Sequence, residues 1–215
     1  MAGPLSLVLA STSPRRKDLL ALLRIPFEIA EPTFLEQLLP GLAPEAQAKH
    51  FAEGKAASVA ARFPLYLILG SDTLIALDCE LMRKPPDLAE SRSMLTRVCG
   101  RSHLIHTAVA LRRQAGAVQT VGCETVRVWM NRFDEGELEA YLHTGESLGK
   151  AGAYSIQGIG SRFIERIEGD YTAAVGLPLR LTADMLSRQG LIVSVNVDDL
   201  YCAKPYPNWS RFVPG

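Results

Sequence analysis

Two long runs of alternating apolar and polar residues, 103–111 and 118–129, follow one another with only a short turn between them. Every other strand signal in the chain is separated from the next by a helix signal. Strands split by helices make parallel crossovers, whereas adjacent alternating strands make an antiparallel hairpin, so the chain is constrained to a mixed sheet. The hairpin turn is expected around residues 114–116. The remaining strand signals lie at 5–10, 27–30, 65–70 and 163–167.

Helix starts are marked by their caps. Ser13 precedes Pro14, an N-cap followed by proline at the first helical position, and Leu19, Leu20 and Leu23 then form one apolar face. A second helix is expected over 44–62, with Phe51, Ala52, Ala56 and Val59 inward. Asp87 with Glu90 opens a third, ended by Gly100, and Asp134 with Glu137 opens a fourth, ended by Gly145. A fifth begins near Pro178 and ends by Gly190. Beyond it, a β-like run at 191–197 leads into a tail with Pro205, Pro207, Trp209 and Pro214. That tail either packs as an arm or stays mobile, and it carries no sign of chemistry.

The 215 residues, 47% of them hydrophobic, suffice for one sizeable core or two small lobes sharing a cleft. Lysine and arginine total 23, as do aspartate and glutamate, so no overall field holds the chain on nucleic acid or an anionic membrane. An anionic ligand must therefore be small and held locally. The apolar start lacks a basic leader, and no run reaches the ~20 apolar residues that span a bilayer, so the protein reads as cytosolic. Cys79, Cys99, Cys123 and Cys202 have no paired spacing, which argues against zinc and disulfides and for reduced, half-buried thiols.

Ser11-Thr12-Ser13-Pro14-Arg15-Arg16-Lys17 sits where a strand hands over to a helix. Free backbone N–H groups and the positive end of a helix dipole suit phosphate there, and two guanidiniums add paired donors. An ordinary N-cap with a solvated basic turn suits the same residues equally. Gly70-Ser71-Asp72-Thr73 closes an apolar strand and places a carboxylate at its carboxyl end, as a metal ligand, a water-positioning base or simply a turn aspartate. Lys55 lies on the inner side of its helix, to reach a ligand or to snorkel. Lys84-Pro85-Pro86 restrains a lysine at a stiff turn. In the segment 150–160, three glycines let a backbone approach a flat ligand, and the Gln157 amide matches the O4 acceptor and N3–H donor of uracil or thymine.

Taken together, Ser11–Arg16, Glu36, Lys55, Gly70-Ser71-Asp72-Thr73, Lys84-Pro85, the 150–157 loop and Val175-Gly176-Leu177-Pro178 resemble the Maf family of nucleotide pyrophosphatases in order and spacing. The resemblance covers residues 1–190 and leaves 191–215 as a C-terminal extension of unknown role. It implies an α/β fold of the Maf and ITPase-like kind, an elongated mixed β-sheet flanked by helices, with two lobes around a central cleft. It also implies hydrolysis of dTTP and UTP to the monophosphate and pyrophosphate, extending to modified pyrimidine nucleotides. By resemblance, Asp72 is the catalytic proton acceptor, with Lys55 and Lys84 as catalytic lysines. Ser11 and Arg16 grip phosphate, and Glu36 with Asp72 holds a divalent metal cation, Mg²⁺ or Mn²⁺. Arg15, Thr73 and Gln157 match the branch acting on dTTP and UTP. Arg83 and Ser161 depart from the commoner family pattern, which has an acidic residue and a glycine there. Family members are often dimers, so a homodimer is the expected assembly.

Charge dictates the expected chemistry. Cleavage between the α and β phosphates needs a water nucleophile and cations placed where the leaving pyrophosphate gathers charge. The alternative is a non-catalytic nucleotide-binding regulator of septum formation. Two carboxylates beside a polyphosphate argue against it, because they repel the ligand unless a cation lies between.

Overall fold

The computed structural model describes residues 6–113 and 118–212. Leu5, the expected turn at 114–116 and Pro214 lie outside these residues. Among the described residues seven strands form one mixed sheet. β1 (Leu7–Ala10) pairs in parallel with β2 (Phe27–Ile29) on one side and with β3 (Leu67–Leu77) on the other. β3 is antiparallel to both β4 (Glu80–Met82) and β5 (Ser102–Arg113), β5 to β6 (Val118–Met130), and β6 to β7 (Ile164–Glu168). The sheet therefore runs β2-β1-β3-β5-β6-β7, with β4 beside β3. The adjacent alternating runs do form the antiparallel pair that makes the sheet mixed.

The expected helices are α1 (Pro14–Ala21), α2 (Pro44–Ala60), α3 (Leu88–Val98), α4 (Glu135–Leu142) and, after the short α5 (Tyr171–Val175), α6 (Leu179–Arg188). At α3 the Asp87 carboxylate accepts from the Glu90 N–H, and at α4 Asp134 and Glu137 form a reciprocal capping box. Ser13 stands at the N-cap of α1, but its side chain makes no capping bond. The Ser11 hydroxyl accepts the Ser13 N–H instead, at 3.2 Å, closing the strand-to-helix turn.

One expectation fails at β3. Gly-Ser-Asp-Thr has turn chemistry, yet residues 70–73 continue the strand because each pairs with β5: Gly70 with Ala110, Ser71 with Val109, Asp72 with Ala108 and Thr73 with Thr107. Nine residues of β5 pair with β3, a ladder that outweighs local turn preference. Asp72 thus lies inside the strand and not at its carboxyl end. On the edge of β3 away from β5, β1 pairs as far as Gly70 and β4 begins at Ile75. Residues 71–74 lie between these two neighbours, where the sheet has an opening.

The run at 191–197 is not a strand. Its alternation is real, since Leu191, Val193, Val195 and Val197 pack on the main core while Ile192 is 82% exposed. It lies as an extended cover with no partner ladder among the described residues. The chain then forms α7 (Val197–Ala203) and α8 (Trp209–Phe212), and Trp209 and Phe212 are buried against Tyr171. The tail is an arm. The four thiols are free, with Cys99 and Cys123 half-buried as expected, but Cys79 and Cys202 exposed at the β3–β4 turn and on α7. No helix among the described residues is long and apolar enough to cross a membrane.

Candidate active site

The opening in the sheet is the floor of a cavity of about 720 Å³. Strand alternation decides what reaches it. Ile68, Gly70 and Asp72 face α2, whereas Leu67, Leu69, Ser71 and Thr73 face the opposite layer, yet both Asp72 and Thr73 line the cavity because no strand covers this edge. At Gly70 a side chain would lie 2.3 Å from the Ala52 carbonyl oxygen and 2.8 Å from the Ala56 backbone nitrogen. Only glycine permits α2 to touch β3 here. That contact brings Lys55 to Asp72, with Nζ 2.5 Å from Oδ1.

Glu36 comes from the segment between β2 and α2. Phe34 rests on Gly54 of α2, where a methyl group would meet its ring, and the Gln47 side chain accepts the Leu39 N–H at 2.8 Å. So anchored, Glu36 places Oε1 2.6 Å from the same Lys55 Nζ. One buried ammonium therefore joins two carboxylates. Burial works to raise the Glu36 carboxyl, but the Lys55 hydrogen bond and the charges of Lys55, Lys84 and Arg16 outweigh it and hold the group below its ordinary value. The second Asp72 oxygen, Oδ2, is buried with no hydrogen-bond partner among the described residues.

On the other face, Arg16 is held in place by acceptors. Its Nε donates to the Gly176 carbonyl at 3.0 Å and its Nη2 to the Thr73 hydroxyl at 3.2 Å. Ser71 also donates to Gly176, and the Thr107 hydroxyl donates to the Ala173 carbonyl at 2.8 Å and lies 3.1 Å from the Thr73 hydroxyl. Burial lowers the guanidinium from its usual value, Asp72 and Glu36 opposing and Arg15 adding to the effect. These bonds give Val175-Gly176-Leu177-Pro178 a physical part: the bend at Gly176 (φ 135°) turns a carbonyl toward Arg16. Ser71 has no role of its own in the sequence reading of its motif, and Thr107 lies outside every motif. A β-strand threonine has no local signature of its role.

Of the expected site residues, Arg15, Arg16, Glu36, Lys55, Asp72, Thr73 and Lys84 line this one cavity. Ser11 and Gln157 do not. Ser11 is buried beneath Ser13, which does line it, and Gln157 is half-buried next to Ile156, which also lines it. The glycines of the 150–160 loop serve packing: Gly152 lies against Ile75, Gly158 against Glu146 and Gly160 against Tyr141. Glu146 fixes the loop by accepting the Ile159 and Gly160 N–H groups, both at 2.8 Å.

The cavity walls carry six cations, Arg15, Arg16, Lys55, Arg83, Lys84 and Lys150, against three carboxylates, Glu36, Asp72 and Glu90. A chain with no net charge thus concentrates positive charge at one place, next to apolar walls that include Ile75, Leu81, Met94, Ile105 and Ile156. Such a cavity suits a small anion with a flat apolar part.

Known proteins are similar to this chain over most of its length. The sequence profile described as Maf-like protein matches residues 6–189. A dTTP/UTP pyrophosphatase from Pelotomaculum thermopropionicum is 41% identical over 184 residues, 86% of this chain and 96% of that protein. The dTTP/UTP pyrophosphatase of Bacillus velezensis is 41% identical over 82% of this chain and 92% of its own length. That of Myxococcus xanthus is 43% identical over 86% and 93%. With the profile match spanning most of its length, this chain belongs to the Maf family.

Proposed function

We propose that this chain is a cytoplasmic hydrolase that cleaves dTTP and UTP to the nucleoside monophosphate and pyrophosphate. The observation that carries the reading is the convergence of Arg16, Lys55 and Lys84 with Glu36 and Asp72 on one cavity of an otherwise charge-balanced protein. Similarity to enzymes named dTTP/UTP pyrophosphatase supports the choice of substrate.

In this reading the triphosphate lies over the N-terminus of α1, with Arg16 pre-aimed by Gly176 and Thr73 so that little reorganisation is needed on binding. Lys84 adds charge from the cavity wall. Asp72 accepts the proton of the attacking water, and Lys55 fixes the orientation of Asp72 and Glu36 while contributing positive charge. Arg15 and Thr73 shape the nucleotide site, and Gln157 reads the pyrimidine edge.

A divalent cation fits the residues present. Glu36 and Asp72 are hard oxygen donors on one side of the cavity, and the unpartnered Oδ2 of Asp72 is available to a ligand. Among the described residues no three His, Cys, Asp or Glu side chains cluster closely enough to bind a metal alone. Two carboxylates, with substrate phosphate and water, match the way Mg²⁺ is commonly held. Bound there, Mg²⁺ or Mn²⁺ supplies neutralising charge to the phosphate chain.

The test is steady-state pyrophosphate release from UTP and dTTP. Asp72→Asn is expected to abolish turnover while the protein stays folded, and Lys84→Ala to slow it roughly 100- to 1,000-fold. Parent-like turnover by Asp72→Asn removes that residue from the reaction, and no release by the parent chain favours a binding protein.

A further inference from the structure

The C-terminal arm braces the part of the cavity wall that aims Arg16. That part is the end of α5 and the bend after it: Ala174, Val175 and Gly176 line the cavity, and the Gly176 carbonyl accepts the Arg16 Nε–H at 3.0 Å. The bend is closed from α5 itself, since the Gly176 and Leu177 N–H groups both donate to the Thr172 carbonyl at 3.0 Å. Yet α5 has only five residues, too few to hold a helix without support from other parts of the chain.

The support is a polar cluster at the corner where α5 meets α6. Asp170 Oδ1 accepts the Thr172 N–H at 2.8 Å and the Thr172 hydroxyl at 2.7 Å, and that hydroxyl accepts the Leu179 N–H at 2.9 Å. Tyr201 on α7 completes the cluster. Its hydroxyl donates to Asp170 Oδ2 at 2.7 Å, accepts the Arg180 N–H at 3.3 Å and lies 3.0 Å from the Thr172 hydroxyl. One side chain of the arm thus joins the start of α5 to the start of α6. The Tyr201 ring is itself held, with the Arg180 guanidinium 4.1 Å from its centroid and the Trp209 ring edge-on at 4.9 Å. Trp209 is 1% exposed and stacks on Tyr171, whose hydroxyl donates to the Pro207 carbonyl. Tyr201, Pro207 and Trp209 all lie beyond the family match, which ends at residue 189.

We propose that Tyr201 is a positioning residue for Arg16, acting through the Asp170–Thr172 corner, so that the arm serves the phosphate end of the cavity. Without the hydroxyl, Asp170 Oδ2 and the Arg180 N–H lose this partner and the corner loosens. The Gly176 carbonyl then no longer keeps one direction, and the cost of ordering Arg16 falls on substrate binding. A planar guanidinium with two directed bonds feels this, where a point charge would not. This rests on Arg16 gripping phosphate, as in the proposed function.

Kinetics of Tyr201→Phe in the full chain test it, because phenylalanine keeps the ring and removes only the hydroxyl. KM for UTP is expected to rise about 2- to 10-fold, the worth of one hydrogen bond, with kcat unchanged. An unchanged KM overturns the proposal even where urea unfolding shows lost stability, since a purely structural tyrosine behaves in that way. In an Arg16→Lys background, where the ammonium cannot reproduce both directed bonds, the same change is expected to add nothing. An equal rise in KM there also overturns it. Should the parent chain not turn over UTP, the proposed function falls, and positioning is judged from the Arg16 Nε–H resonance, assigned by its loss in Arg16→Lys. A shift or faster hydrogen exchange of that resonance in Tyr201→Phe supports the positioning role, and an unmoved one refutes it.

Discussion

The two faces of the sheet are packed in opposite ways. Toward α2 the contact is made of small residues: Ala48, Ala52, Ala56 and Ala60 on the helix meet Val8, Ala10, Ile68, Ala108 and Ala110 on the strands. The other face is built from Leu9, Leu69, Val109, Phe163, Tyr171, Leu186 and Trp209, and it carries the loops and the C-terminal arm. A thin layer fixes backbone to backbone and leaves no side chain to absorb an error. A thick one sets its spacing through side chains that can change rotamer. The ion cluster of Lys55, Asp72 and Glu36 sits on the thin face, so its geometry is inherited from main-chain contact.

The largest test of that difference is Gly70→Ala. Its added methyl would sit 2.3 Å from a backbone oxygen and 2.8 Å from a backbone nitrogen, so α2 itself must move. We expect a loss of about 3 kcal/mol or more in urea unfolding, at the upper end of overpacking costs. Displacing Lys55 from Asp72 by even a fraction of an ångström should also cut pyrophosphate release about 100-fold. A variant that is stable and fully active would mean that the close contact does not set the site.

Acid should separate the faces next. His103, on the thick face, is bonded through Nε2 to the Tyr154 hydroxyl at 2.7 Å, and burial pushes its pKa down to about 4. The folded state therefore holds this histidine neutral while the unfolded chain binds a proton below about pH 6.5. Its contribution is complete above that pH and is lost as pH falls from about 6.5 to about 4, worth about 3 kcal/mol. Glu36, whose carboxyl is held below its ordinary value of 4.5, keeps its contribution down to that value and loses it as pH falls from there through the depressed one. Chemical denaturation across pH 7 to 4 should show the slope in the parent chain and a flattened one in His103→Phe. Equal slopes would mean that another group controls the acid response.

The sequence makes the thin face and its cations easy to read, and the thick face hard. The helix period exposes the inward alanines of α2 and puts Lys55 among them, and the caps at Asp87 and Asp134 locate α3 and α4. Family spacing then gathers Glu36, Asp72 and Lys84 without any need to know the fold. What local pattern cannot reveal is pairing at a distance. The strand signal of β3 stops at Gly70 because the next residues favour turns, and only β5 reveals that it continues. The alternation at 191–197 truthfully reports one buried side and one exposed side, which an unpaired cover satisfies as well as a strand does. Likewise the tail's place depends on Asn208 and Arg211 meeting residues some fifty positions earlier, which no window along the chain contains.

The smallest expected effect comes from making the same substitution on the thick face. Gly122 on β6 pairs with Val109, whose side chain belongs to the thick layer. A methyl group there would meet the ends of the Leu181 side chain at 3.1 Å and the Met185 sulfur at 3.4 Å, both on α6. Those atoms end flexible side chains, and a modest rotamer adjustment costs on the order of 1 kcal/mol. Replacing glycine by alanine in an extended strand returns about 0.4–1 kcal/mol by restricting the unfolded chain. The two terms nearly cancel, so Gly122→Ala should unfold within about 1 kcal/mol of the parent and keep full turnover. A loss as large as that of Gly70→Ala would mean that α6 is held as rigidly as α2, and that side-chain size does not distinguish the two faces.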